Sequence, residues 1–261
     1  MVPLSRVGVS ADGRGDRGEG PLAQLLLRKP RMSSYQTSES EVGTTLSLEL
    51  RGVEQGPVVD GVEHLRLQTD AGLISCRYHE AATGDAAVVW VGGAGGGLDG
   101  PARGLYPRLA GQLVSDGISS LRLDYRHPNF IETCVLDTLM GTVYLATRGR
   151  LRVALVGHSF GGAVVITAGA LSDAVSAVAA LSSQTFGTEL VSELTPRSLL
   201  LIHGEEDEIL PDACAHDIFA RANEPRTLLL YPDCGHGLDE CRDRVDHDLT
   251  VWLRRVLAPP L

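Results

Sequence analysis

The sequence predicts an α/β fold: a mostly parallel central sheet with helices on both faces and an antiparallel hairpin on its N-terminal side. Three observations carry this. Apolar runs at 86–91, 153–156, 199–202 and 228–231, with the more interrupted runs at 118–123 and 175–181, fit strands buried on both faces. Segments with helical apolar spacing separate most of them, at about 102–116, 131–148, 160–171, 211–222 and 239–257, so strands and helices alternate as in βαβ units. Ahead of these, residues 62–69 and 73–79 alternate apolar and polar side chains around Asp70-Ala71-Gly72, the signature of a hairpin with one solvated face.

Each element has its local reason. The run at 86–91 ends in Gly92-Gly93-Ala94-Gly95-Gly96-Gly97, too glycine-rich to continue a strand. Pro101 and Pro107 delay the helix that follows. The 118–123 run is followed by Asp124-Tyr125-Arg126-His127-Pro128, whose proline closes it before the 131–148 helix. Residues 160–171 are apolar all round, as in a fully buried helix, and Trp252 and Leu253 of the last helix read as core. Between Ser182 and the strand at 199 only the short stretch 183–198 remains, enough for a turn or two of helix and not for a large lid.

Residues 61–261 are therefore expected to form one domain, and 1–60, poor in aromatics and without a sustained period, a disordered extension. Of 23 basic residues the only lysine is Lys29, inside that extension, which excludes a Walker A loop and Schiff-base or pyridoxal catalysis. The net charge is −10, and because residues 1–31 are net basic the body is more acidic still; nucleic acid is not an expected partner. No apolar run approaches the roughly 20 residues that span a bilayer, so no membrane association is expected. Five cysteines without a Cys-x-x-Cys read as reduced thiols in a cytosol-like compartment, with a cytoplasmic location as the expectation. An organelle is the alternative if residues 1–31 act as a transit peptide; Met32 offers an alternative start. Neither a metal nor a cofactor is expected.

The chemistry concentrates in Gly157-His158-Ser159-Phe160-Gly161, which follows a buried strand and opens a buried helix. A serine on such a tight strand-to-helix turn needs small neighbours two residues to either side, and the helix N-terminus beneath it favours developing negative charge. Serine needs a base and the base needs an acid. Among eight histidines, His64 and His79 read as solvated hairpin positions, His158 as unable to reach back to its neighbour, and His203 as a core histidine bonded to backbone. His216 and His247 read as helix-surface residues. His236 stands in Cys234-Gly235-His236-Gly237, where flanking glycines let a loop swing the imidazole over the sheet edge, and is the expected base. The acid is open among Glu205, Glu206, Asp207 and Glu208, which follow the strand ending in His203-Gly204.

At these motifs the chain resembles the α/β-hydrolase family, and within it the dienelactone-hydrolase-like branch of small, nearly lidless serine esterases, over roughly residues 62–257. The resemblance implies an α/β-hydrolase fold. In that family the acid occupies a His-Gly-x-x-Asp pattern, which selects Asp207, and the order nucleophile, acid, histidine matches Ser159, Asp207, His236. It also implies backbone N–H groups of Phe160 and Ala94 as oxyanion donors, with Gly93 beside the substrate, although Gly92-Gly93-Ala94 lacks the histidine common there. The namesake enzymes of the branch use cysteine where this chain has Ser159, which favours ordinary esters over lactones as small-molecule substrates. Arg126 and His127, at a strand end, are candidate contacts for a substrate anion. Two rivals remain. Gly95-x-Gly97-x-x-Gly100 with Asp124 is formally a dinucleotide-binding fingerprint, and an inactive hydrolase fold serving as a binding module is the other.

Overall fold

The structure, a computed structural model, describes residues 6–10 and 45–259; Met32, Lys29 and the basic 1–31 segment apart from residues 6–10 lie outside them. The strands are β1 (Arg6–Ser10), β2 (Thr45–Val59), β3 (Val62–Thr69), β4 (Gly72–His79), β5 (Ala86–Val91), β6 (Ile118–Asp124), β7 (Arg152–His158), β8 (Val175–Leu181), β9 (Ser198–Gly204) and β10 (Arg226–Tyr231). They form one sheet in the order β1-β2-β3-β4-β6-β5-β7-β8-β9-β10. Strands β1 to β4 pair antiparallel and β4 meets β6 antiparallel, whereas β6, β5, β7, β8, β9 and β10 are all parallel.

Within the stretch 1–60 expected to be disordered, residues 6–10 and 45–59 need correction, because β2 is a 15-residue strand paired along β3 and β1 pairs with it in turn; 1–5 and 11–44 lie outside the described residues. Leu46, Leu48 and Leu50 alternate, and Leu48 and Leu50 are buried in the core. Beyond them Gly52 and Gly56-Pro57 break the period, and the ladder shifts register between Leu50 and Gly52 and again between Gln55 and Val58. Three alternating leucines before a double bulge carry little periodic signal, which is why the strand was not expected.

Helices α1 (Pro101–Leu113) and α5 (Arg242–Val256) cover one face of the parallel part, and α2 (Ile131–Thr147), α3 (Phe160–Leu171) and α4 (Ala213–Arg221) the other. The strands feed the two cores alternately: Ala86, Val88 and Trp90 of β5 pack with α1 and α5, and Ala87, Val89 and Val91 with α2 and α3. Such continuous apolar runs follow from burial on both faces. The start of α1 is unusual. Ala102, Arg103 and Gly104 are left-handed, at φ of 49°, 54° and 85°, a conformation that costs a non-glycine residue about 1–2 kcal/mol. External partners hold it: Ala102 N–H donates to the Gly237 carbonyl at 2.7 Å and Arg103 N–H to Asp239 Oδ1 at 3.0 Å.

Cys234 and Cys241 form a disulfide, which overturns the reading of five reduced thiols and removes the thiol argument for a cytosol-like compartment. Seven positions apart in a tight loop, their Cα atoms lie 5.8 Å from each other. Cys76, Cys134 and Cys214 are free. His79 is also corrected: it is buried and accepts from Arg122 Nε at 3.1 Å. Burial, with the Arg122 charge beside it, pulls its imidazole down to about 4. Among the described residues, no helix is long and apolar enough to cross a membrane.

Candidate active site

The carboxyl ends of β5, β7, β9 and β10 open into the loops that carry the candidate residues. Between β7 and α3, Ser159 has φ 58° and ψ −121°, a strained backbone for any residue with a Cβ. Contact explains the glycines: a Cβ on Gly157 would lie 2.1 Å from the Gly161 carbonyl oxygen, and one on Gly161 2.2 Å from that of Gly92. Ser159 N–H donates to Leu181 O at 2.8 Å, which anchors the turn to β8.

Asp207 lies three residues beyond β9, with its side chain fully buried, while Glu205, Glu206 and Glu208 are exposed. His236 Nδ1 lies 2.7 Å from Asp207 Oδ2. The other oxygen, Oδ1, accepts from Ile209 N–H at 2.9 Å and Leu210 N–H at 2.8 Å. Burial by itself would raise the Asp207 carboxyl, but the Leu210 N–H, the His236 ring and the Ile209 N–H together hold it below the ordinary range. His203 Nε2 donates to Leu210 O at 2.8 Å and is 3.2 Å from Asp207 Oδ2, so this core histidine braces the acid loop. Ser159 Oγ makes no hydrogen bond among the described residues; in enzymes without substrate, such bonds often close only in the complex.

The loop after β5 runs against the elbow. A Cβ on Gly93 would sit 3.5 Å from the Ser159 Cβ and 3.5 Å from the His158 carbonyl oxygen. Its turn is closed by Gly96 N–H to Gly93 O, which leaves the N–H of exposed Ala94 outside that bond. Phe160 is the first residue of α3, where N–H groups have no partner within the helix. Buried Tyr106 donates its hydroxyl to Val91 O at 2.8 Å, fixing the strand end that launches the loop.

Two expectations fail here. Asp124, which the dinucleotide fingerprint needs free for a ribose, accepts from Gly97 N–H at 2.7 Å and so ties down the loop itself. Arg126 is not available to a substrate anion. Its Nε lies 2.6 Å from Asp137 Oδ1 and its Nη1 donates to Ala71 O at 3.1 Å, with side-chain exposures of 5% for Arg126 and 0% for Asp137. An Asp on the second turn of α2 captures the guanidinium before it reaches the loops, a partner that position along the chain does not reveal. His127 is exposed, and its carbonyl accepts from Cys134 Sγ. Among the described residues, no group of three or more His, Cys, Asp or Glu side chains is arranged to hold a metal.

One residue was missed. His158, set aside because it cannot reach its neighbour, turns the other way and places Nε2 2.9 Å from the His236 carbonyl oxygen. The available signal was that a residue next to the nucleophile on an elbow must project toward one of the flanking loops.

No protein-family model matches the chain. Among curated proteins, a segment of 58 residues is 36% identical to "Uncharacterized protein YfhR" of Escherichia coli K12, covering 22% of this chain and 20% of that protein. The match thus spans about one fifth of the relative's length. Solved structures align far more extensively. A dienelactone hydrolase from Anabaena variabilis superposes with a TM-score of 0.67 at 17% identity, over 76% of this chain and 99% of that one. XC6422 from Xanthomonas campestris, described as an α/β serine hydrolase without a lid, gives 0.63 at 18% identity over 79% and 100%. The esterase domain of a Rhodothermus marinus protein gives 0.62 at 18% over 74% and 98%. The chain has the α/β-hydrolase fold, as its resemblance to the dienelactone-hydrolase-like branch implied.

Proposed function

We propose that the protein is a serine hydrolase that cleaves carboxylic ester-type bonds through an acyl-enzyme. The observation that carries this reading is the 2.7 Å contact from His236 Nδ1 to buried Asp207, on loops flanking a serine held in a strained elbow. Ser159 Oγ attacks the substrate carbonyl carbon while its proton passes to His236 Nε2, and Asp207 steadies the imidazolium. The oxyanion that forms is met by the N–H groups of Phe160 and Ala94. The intermediate collapses, the carbon–oxygen bond to the leaving group breaks, and His236 returns the proton to that alcohol. Water then attacks the acyl-enzyme with His236 again as base, releasing the acid and restoring Ser159.

The short connection between β8 and β9 supports small or accessible acyl groups over long buried chains, because it holds only one 3₁₀ turn, Val191–Leu194. The acidic body and the engaged Arg126 disfavour strongly anionic substrates. A fluorophosphonate probe should label Ser159, and Ser159→Ala should abolish turnover of short-chain p-nitrophenyl esters while leaving the thermal melt in place. An unreactive serine in folded protein refutes the reading and favours an inactive binding module; turnover surviving in Ser159→Ala points to another nucleophile.

A further inference from the structure

His158 takes no part in the proton transfers just described, yet it joins the two loops that must cooperate in them. It is the last residue of β7, immediately before Ser159. Its Nε2 lies 2.9 Å from the backbone carbonyl oxygen of His236, and the two imidazole rings stand 4.8 Å apart, tilted by 49°. A carbonyl oxygen only accepts, so the proton of the neutral ring sits on Nε2. Burial pulls this imidazole down to about 4, so near neutral pH it is an uncharged donor.

The base loop needs such a tether. Gly235 and Gly237 flank His236 and loosen its backbone within a loop closed by the Cys234–Cys241 bridge and by Leu238 N–H donating to Gly235 O at 3.1 Å. The next carbonyl along, that of Gly237, accepts from Ala102 N–H at 2.7 Å, in the left-handed start of α1. Two successive carbonyls are thus fixed by donors from different elements, and only one of these donors is a side chain. Because that side chain belongs to the elbow, its bond links the base loop directly to the turn that carries Ser159, where a misplacement of about 1 Å costs on the order of 100-fold in rate.

We propose that His158 is a positioning residue for acyl transfer: its Nε2–H bond to the His236 carbonyl couples the elbow to the base loop and aligns His236 with Ser159. The proposal rests on the assignment of Ser159 and His236 as nucleophile and base. Two variants of the full chain separate the donor from the ring. His158→Phe keeps a flat ring against His236 without a donor, and His158→Gln returns an N–H near the same place.

His158→Phe should lower kcat about 10- to 100-fold with KM within about twofold of wild type, and His158→Gln should recover to within about fivefold. Both should melt close to wild type. The His236 Nδ1–H resonance, observed by NMR, supplies a readout that needs no turnover: it should shift or broaden in His158→Phe and return in His158→Gln. Several results would overturn the proposal: wild-type kcat in His158→Phe, equal losses in the two variants, a change confined to KM, or failure of both variants to fold. If the wild-type enzyme is inert toward esters and fluorophosphonate, the proposed function fails, while an unmoved His236 resonance in His158→Phe would sink the positioning role separately.

Discussion

Replacing Arg126 by Met tests whether this residue serves the substrate or the fold. Asp137 accepts from Arg126 twice, from the backbone N–H at 2.8 Å and from Nε at 2.6 Å, in a pair with almost no solvent exposure. Arg126→Met leaves the first bond and strips the second together with the guanidinium charge paired with Asp137. Breaking a buried ion pair from one side costs about 3–5 kcal/mol, and in a domain of this size about 2–4 °C of melting temperature accompanies each kcal/mol, so a fall of roughly 6–20 °C is expected. The pH dependence has a definite sign. Burial raises the Asp137 carboxyl even in the wild type, with the Arg126 backbone N–H and then its charge and side-chain bond opposing it; the variant keeps the N–H but loses the charge and the side-chain bond. A carboxyl raised on folding leaves stability intact below its unfolded value and erodes it as pH climbs toward the folded one. The deficit of the variant should therefore be smaller at pH 5 than at pH 8. Urea and thermal unfolding at both pH values, with kinetics on a neutral and an anionic p-nitrophenyl ester, decide the matter. The reasoning fails if stability at pH 8 changes by less than about 1 kcal/mol, if the deficit grows toward acid, or if only the anionic ester suffers.

Three further outcomes are expected. Asp207→Asn should cost about three to four orders of magnitude in kcat, because the imidazole loses the partner that fixes its tautomer. Since folding lowers the Asp207 carboxyl, its stabilising contribution is present above the ordinary aspartate range and fades as pH falls toward the folded value; unfolding between about pH 2 and 5 should thus show a shallower acid decline in the variant. Replacing both Cys234 and Cys241 by Ala opens a ring whose closing residues are seven apart and should remove roughly 2.5 kcal/mol, read as a shift in the urea midpoint. Coincident unfolding curves would show that the ring contributes nothing.

The central fold was legible because its signals are local and redundant. Residues 86–91 are apolar without interruption and 175–181 with only Ser176 among them, and the observed strands β5 and β8 keep those limits. The elbow was equally plain, since its glycines answer contacts at 2.1 and 2.2 Å that leave no room for a Cβ. What the chain concealed depends on pairing at a distance. β2 becomes a strand only because β3 lies beside it, and Arg126 became a substrate candidate because Asp137, with its carboxylate inside α2, is recognisable as its partner only in three dimensions. The Cys234–Cys241 bridge was missed for a related reason: parity and compartment arguments count cysteines, whereas a disulfide needs only that two meet. His158 was misjudged because reach was considered along the chain and not across to the neighbouring loop.

The contact between His158 and the His236 carbonyl joins residues 78 positions apart. A ribosome adding about 5–20 residues per second needs roughly 4–16 seconds to pass from one to the other. Throughout that interval the nascent chain already carries Ser159 and the two glycines of its elbow, but not the proposed base or the carbonyl that His158 grips. The parallel order around β7 also waits, since β8, β9 and β10 are made within the same interval. On the proposed assignment, a growing polypeptide holds its nucleophile without its base until late in its synthesis, so hydrolytic competence would arrive as a single late event.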